Sequence, residues 1–271
     1  MPMRVFDIVR TFIRELYAKR ALIWDLALRD FKKSYFGSTF GMTWVLVEPL
    51  IYIFVMWFFF TKAMKFQPTS GYPYVAWLMT SMILWTFFGS ALQISVGTFR
   101  SYSYLLRRPD FNMSILPVVS ILSTMFVHSV LAVLLIVLLL ISNVTVSLFW
   151  MQALYYLFAT SVLLLGLSWI TASISLFVKD ISNVVGVILQ IGFWISPIFW
   201  DLNTYPEQYR FLLKLNPLTY LLEGYRKSFL YREPFWLDVS GALLFWSFTV
   251  VMLGIGMVTY KKLRPHFGDM I

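Results

Sequence analysis

The chain alternates between long apolar runs and short polar breaks, and the runs are too long for strands. Crossing a bilayer core of about 30 Å takes about 20 mostly apolar residues as a helix. Six stretches meet that length, at residues 41–61, 74–99, 115–141, 148–178, 181–200 and 239–260. The pattern predicts an all-α integral membrane protein with six transmembrane helices. The runs at 74–99 and 148–178 exceed one simple crossing, which predicts tilt or extension beyond the bilayer. Ahead of the first run, Val5, Ile8, Val9, Phe12, Ile13 and Leu16 recur at i, i+3, i+4 spacing. Arg4, Asp7, Arg10, Arg14 and Glu15 occupy the opposite face, the signature of an amphipathic helix. Such a helix lies in the membrane interface with its arginines near lipid phosphates. Two roles stay open for it: a plain topology anchor, or a helix that also touches a cytoplasmic partner. The chain therefore divides into a cytoplasmic interface segment, 1–40, and a six-span domain, 41–271. No internal repeat is visible.

Composition agrees. Of 271 residues, 59% are hydrophobic, 19% aromatic and 13% charged, against about 25% charged in a soluble domain. That excludes a soluble enzyme and a disordered chain. With no cysteine, disulfides, thiolate metal sites and cysteine nucleophiles are excluded together. The net charge of +9 would suggest nucleic acid in a soluble protein. Here it reads instead as cytoplasmic loops facing anionic headgroups, with no nucleic-acid partner.

The basic residues set the orientation. One side collects Arg4, Arg10, Arg14, Lys19, Arg20, Arg29, Lys32, Lys33, Arg100, Arg107, Arg108, Lys179, Lys261, Lys262 and Arg264. The other holds only Lys62, Lys65, Arg210, Lys214, Arg226, Lys227 and Arg232. By the positive-inside rule both termini are cytoplasmic. No cleavable signal peptide is expected, because a long basic segment precedes the first span.

Chemistry is sparse within the spans. Histidine occurs only at 128 and 266, and there is no zinc-binding H-E-x-x-H, no G-x-S-x-G elbow and no phosphate loop. His128 alone reads as a helix-packing hydrogen bonder. Glu48 is the sole carboxylate well inside a span, near the cytoplasmic end of the first one, and one glutamate near an interface is too little for the proton or sodium relay that ion-coupled carriers need. Energy for transport is therefore expected from a separate subunit, with catalytic and metal residues absent here.

Three connections stand out. The basic, aromatic stretch 100–117 contains Tyr104, Leu105, Leu106, Arg107 and Arg108, either a solvated turn or a short docking helix for a cytoplasmic subunit. Lys179 and Asp180 form a second, smaller cytoplasmic turn. Between the fifth and sixth runs lies a long outer segment. Asn216-Pro217 suits a helix start, and 218–230 is too short to span, which predicts a re-entrant or interfacial helix. Glu223 and Arg226 stand three apart on one helix face and can pair. The tryptophans and tyrosines near run ends, including Trp44, Trp85, Trp194 and Trp200, serve as interface belts or as walls of a sugar path.

Arg29, Tyr35, Ser38, Gly41, Trp44 and Pro49 together resemble the entry segment of type-2 ABC-transporter permeases that export polysaccharides. Phe40 stands where that family has leucine, and Lys179-Asp180 resembles its cytoplasmic Arg-Asp turn. Ser196-Pro197-Ile198, Leu215-Asn216-Pro217 and Glu223-Gly224-Tyr225-Arg226 resemble the outer part of the same family. The stretch from Trp194 to Arg226 looks most like the wall teichoic acid permeases of Gram-positive bacteria, with O-antigen and capsule exporters close behind. The resemblance implies a homodimer in the bacterial cytoplasmic membrane, bound to two copies of an ATPase subunit that carries the ATP and magnesium. It implies a cargo built on undecaprenyl diphosphate, a lipid-linked glycopolymer. A drug or small-lipid permease of the same architecture and a membrane-embedded sugar transferase are the competing readings. Within this frame Ser196, Pro197, Asn216, Pro217, Glu223, Tyr225 and Arg226 form an outer gate or, alternatively, a rigid cap.

Overall fold

The computed structural model describes residues 5–35, 40–65, 71–105 and 111–270, with backbone alone at 5–9, 34 and 35. Ser38, Leu106, Arg107 and Arg108 lie outside the described residues. Two helices precede the bundle, α1 (Val5–Ala18) and α2 (Arg20–Tyr35). The bundle comprises α3 (Trp44–Phe58), α4 (Tyr74–Ser101), α5 (Leu116–Ile141), α6 (Gln152–Ser175) and α7 (Ile181–Ile195). Two short helices follow, α8 (Glu207–Lys214) and α9 (Pro217–Arg226), then α10 (Val239–Leu263). No strand occurs among the described residues. Among the described residues five helical stretches are long and apolar enough to cross a membrane: Gly41–Ala63, Tyr74–Ser101, Met113–Ile141, Leu148–Ser175 and Val239–Asp269.

The run at 181–200 differs from its prediction. Its helix, α7, has 15 residues, and Ser196 turns extended at φ −81° and ψ 147°. Pro197 is the cause: its ring disfavours helical geometry in the residue before it. The chain nevertheless keeps pace with α4. Gln93 Nε2 donates to Ser182 Oγ at 3.0 Å near one end, and Tyr74 OH donates to the Phe199 carbonyl at 3.0 Å near the other. Nineteen residues of α4 separate those contacts, about 28 Å of helix.

α4 is the mast of the bundle. In its most apolar window 78% of residues are buried, against 11% in the first spanning stretch. It packs on α5, α6, α7 and α9. α6 and α10 cross closely enough to exclude side chains. A Cβ on Gly166 would lie 2.8 Å from the Leu253 nitrogen, and one on Gly256 would overlap the Gly166 carbonyl.

α1 and α2 close the underside. Ile23, Leu26 and Ala27, at i, i+3, i+4, are buried in one cluster with Phe99, Tyr102, Leu105 and Val119. Phe12 meets Trp169 edge-on, ring centroids 5.2 Å apart, and Leu16 packs on the same cluster. The amphipathic stripe of α1 is thus covered partly by the bundle itself, because Trp169 and its neighbours offer an apolar underside. Ile13 remains exposed.

Substituting Gly256 by alanine is expected to lower stability by roughly 1–3 kcal/mol, the usual range for overpacking. The matching change at Gly254, whose added Cβ meets nothing within 4 Å, is expected to be close to neutral. Thermal unfolding of both variants in the same detergent checks the contrast.

Candidate functional site: a transverse groove and an outer clasp

A groove of about 530 Å³ opens between α3, α4 and α7. Each wall follows from helical periodicity: Trp44, Glu48 and Tyr52 on α3, Trp85 and Gly89 on α4, Gln190 and Trp194 on α7 recur at intervals of four. Trp85 and Phe193 meet edge to face at 5.8 Å, and Tyr52 meets Phe193 the same way at 5.8 Å. Phe60 packs on Tyr74 at 5.9 Å near the outer rim, so Glu48, twelve residues earlier, sits about 18 Å below it. A side chamber of about 110 Å³ between α4 and α5 shares Thr86, Ser90 and Val127 with the groove and has His128 in its lining. Aromatic faces beside a few hydroxyl and amide groups suit the C–H faces and hydroxyls of a sugar chain.

Above the groove, α9 is clasped at both ends to the turn after α7. Asn216 caps the helix, accepting from the Leu218 backbone N–H at 3.0 Å. The same side chain donates from Nδ2 to Ser196 Oγ at 3.0 Å. At the far end Arg226 is fully buried. It donates to Glu223 Oε1 at 2.6 Å and to the Ile198 carbonyl at 2.6 Å, and its guanidinium lies over the Trp77 ring, 3.4 Å from the centroid. Pro197 is buried between these two attachments. Tyr225 bonds His128 Nε2 at 3.0 Å, and His128 Nδ1 faces the Ile83 carbonyl at 3.3 Å. His128 is therefore a packing group that ties α9 to α4 and α5. Gly224 lets α9 approach α6, since a Cβ there would collide with the Tyr156 ring.

At the end of the bundle nearest α1 and α2, the described residues of the predicted docking stretch show two 3-10 turns, Ser103–Leu105 and Met113–Ile115. Leu105 is buried in the protein's own underside cluster, while Tyr104 is 49% exposed. Both stems of the stretch are held from below. Arg29 donates to Tyr104 OH at 3.0 Å, and Tyr102 OH donates to Asp30 at 2.6 Å. The hydrogen bond that Arg29 donates to Tyr104 raises the Arg29 pKa, and burial, followed by the Asp30 contact, raises that of Tyr102. On the other stem Asn112 donates to Glu15 at 2.7 Å and accepts from Tyr260 OH at 3.0 Å. Lys179 and Asp180 are exposed in the turn between α6 and α7. Of the predicted entry residues, Arg29 joins this collar, Trp44 and Pro49 line the groove, and Gly41 takes φ +49°. Tyr35 ends α2.

The Glu223–Arg226 pair was legible in sequence, and of the groove the tryptophans Trp44, Trp85 and Trp194 and Glu48 stood out there, but not their meeting. Glu48, Tyr52, Gln190 and Phe193 gather only when α3 and α7 flank α4. The signal that points to them is the four-residue recurrence of polar and aromatic side chains on otherwise aliphatic helices. Among the described residues no group of three or more histidines or carboxylates is placed to hold a metal.

Helices long and apolar enough to cross a membrane, with an aromatic groove among three of them, define a multi-span membrane protein. The chain belongs to the ABC-2 type transporter family, whose sequence pattern matches residues 21–230. It is similar to an O-antigen export system permease of Klebsiella pneumoniae, 23% identical over 90% of this chain and 92% of the relative. A Myxococcus xanthus O-antigen export permease is 25% identical over 96% and 98%. The polysialic acid transport protein KpsM of Escherichia coli is 24% identical over 87% and 91%.

Removing the Arg226 side chain as Arg226→Met is expected to cost about 3–5 kcal/mol, the range for breaking a buried ion pair on one side. Adding Glu223→Gln should recover part of that loss, because no unpaired carboxylate then remains. A double-mutant cycle by denaturant unfolding measures the coupling.

Proposed function

We propose that this chain is the membrane-spanning subunit of an ATP-driven exporter of polysaccharide, with the groove as part of the cargo's path. The groove carries this reading: it sets aromatic faces and neutral polar groups at membrane depth, where a sliding sugar chain needs both. The cargo favoured is an O-antigen or capsular polysaccharide on undecaprenyl diphosphate. The relatives' own cargoes support that choice over wall teichoic acid, which the sequence motifs had favoured. The absence of a phosphate-loop motif and of an intramembrane relay supports a separate ATPase, engaged through Tyr104, the adjoining stretch to Arg108, and Lys179-Asp180.

A sixth crossing completes the topology. α7 and its extension to Phe199 accompany α4 over about 28 Å, close to the hydrocarbon thickness. With six crossings and the basic bias of the sequence, both termini face the cytoplasm of a bacterial inner membrane. The exposed apolar faces of α3 and α7 then meet lipid and a second copy of the chain. α9, buried beneath the outer rim and hung on Ser196 and Ile198, is the candidate gate at the exit.

Purified alone, the chain is expected to hydrolyse no ATP, and to gain hydrolysis when a cytoplasmic subunit bearing a phosphate loop co-purifies. Robust hydrolysis by the isolated chain would sink the assignment. For the gate, a Ser196→Cys/Asn216→Cys pair should halt polymer export when oxidised and restore it when reduced. The native chain has no cysteine, so the pair forms without competition. Undiminished export by the fully cross-linked protein would make α9 a fixed cap.

A further inference from the structure

Two consecutive residues of α2 grip the first stem of the connection between α4 and α5. Arg29 Nη2 donates to Tyr104 OH at 3.0 Å, and Tyr102 OH donates to Asp30 Oδ1 at 2.6 Å. The Arg29 guanidinium also stands over the Tyr102 ring, 5.9 Å from its centroid, within cation–π range. The two tyrosines differ in exposure. Tyr102 is buried and belongs to the underside cluster with Ile23, Leu26 and Ala27 of α2. Tyr104 is half exposed, and its hydroxyl is directed back onto Arg29. An exposed tyrosine without such a bond would move among several rotamers. The support is itself fixed, because Trp24 and Phe31 of α2 both pack on Phe126 of α5, with ring centroids 5.2 Å and 5.5 Å apart. Phe31 directly follows the gripping pair. The other stem is tied to α1 and α10 instead, through Asn112 with Glu15 and Tyr260.

We propose that Arg29 and Asp30 are positioning residues for the ATPase contact. Acting through Tyr104 and Tyr102, they hold one exposed ring at a fixed height and facing. A side chain locked by supporting hydrogen bonds passes a displacement on to the bundle, whereas an unheld one absorbs it by turning. The proposal rests on the reading of this connection as the docking stretch, and it brings a second element, α2, into the same task. Neither residue has to meet the ATPase. Each bond has its own chemical requirement. Arg29 supplies a donor to the Tyr104 oxygen, and Asp30 supplies an acceptor to the Tyr102 hydroxyl. Asparagine at position 30 would still offer an oxygen, and leucine would not.

Two measurements test this. Export is read as polymer displayed by the producing cells, and ATP hydrolysis on the purified complex of chain and ATPase subunit. Arg29→Met should lower the polymer exported per ATP by at least about threefold, as expected for one lost hydrogen bond. Its hydrolysis and melting temperature should stay close to those of the unmodified complex. Tyr104→Phe removes the same bond from the other side and should give the same fall. The two together should be no worse than either one, because they share a single bond. Asp30→Asn should keep the ratio, and Asp30→Leu should lower it. An unchanged ratio in Arg29→Met and Tyr104→Phe overturns the proposal, as do losses that multiply in the double variant. A ratio that falls only where the melting temperature falls with it assigns the bonds to stability and overturns it too. The second measurement checks the contact itself. Tyr104→Cys, the only thiol in the chain, is labelled with a benzophenone maleimide and should cross-link to the ATPase subunit on illumination. No cross-link removes the docking reading, and the proposal with it. A cross-link together with an unchanged ratio removes the positioning role alone.

Discussion

The half of this protein built around α9 depends on one buried guanidinium. Arg226 has no exposure to solvent, yet it reaches the Ile198 carbonyl, the Glu223 carboxylate and the face of Trp77 together. A charge in that position is stable only while all three partners are in place. It therefore fixes α9 against α4 and against the turn that Pro197 creates. A helix of ten residues is too short to persist alone in water. Its own cap at Asn216, its Arg226 anchor and the His128–Tyr225 bond hold it instead. Any motion of α9 must break or carry these contacts as a group, which makes the element suited to two discrete positions rather than a continuum.

The opposite end of the bundle, closed by α1 and α2, is organised by a different chemistry. There the anchors are hydrogen bonds that two buried tyrosines and an exposed one make with polar side chains: Asp30 with Tyr102, Asn112 with Tyr260, and Arg29 with Tyr104, with Glu15 holding Asn112. Bonds of this kind contribute about 0.5–1.5 kcal/mol each. They link α1, α2 and the end of α10 to the stems of one connection. A push on that connection is thereby shared among three elements before it reaches the bundle.

Much of this was readable in the residues. The long apolar runs fixed the spanning helices because length and hydropathy are local properties. Asn216-Pro217 predicted the start of α9, and the three-residue spacing of Glu223 and Arg226 predicted their pair, since both follow from helix geometry alone. The end of α7 at Ile195 was harder, although the reason was present: Pro197 acts on the residue before it. The groove lay beyond a linear reading. Its walls come from α3, α4 and α7, and nothing in their separate sequences says which faces meet. Leu105 shows the same limit. In sequence it is an apolar residue in a basic loop, suited to a partner's pocket, whereas tertiary packing gives it a place in the chain's own underside.

The uneven burial of α3 and α4 bears on how such a protein can change over evolutionary time. α4 is locked on nearly all sides, so most replacements there disturb the core. α3 places only Val45 and Ile53 in the interior, yet it supplies a whole wall of the groove. The lining of the groove and the core of the fold are thus written on separate helices. Mutations on α3 can reshape the groove while the scaffold keeps its stability, and one architecture can vary that lining without being rebuilt.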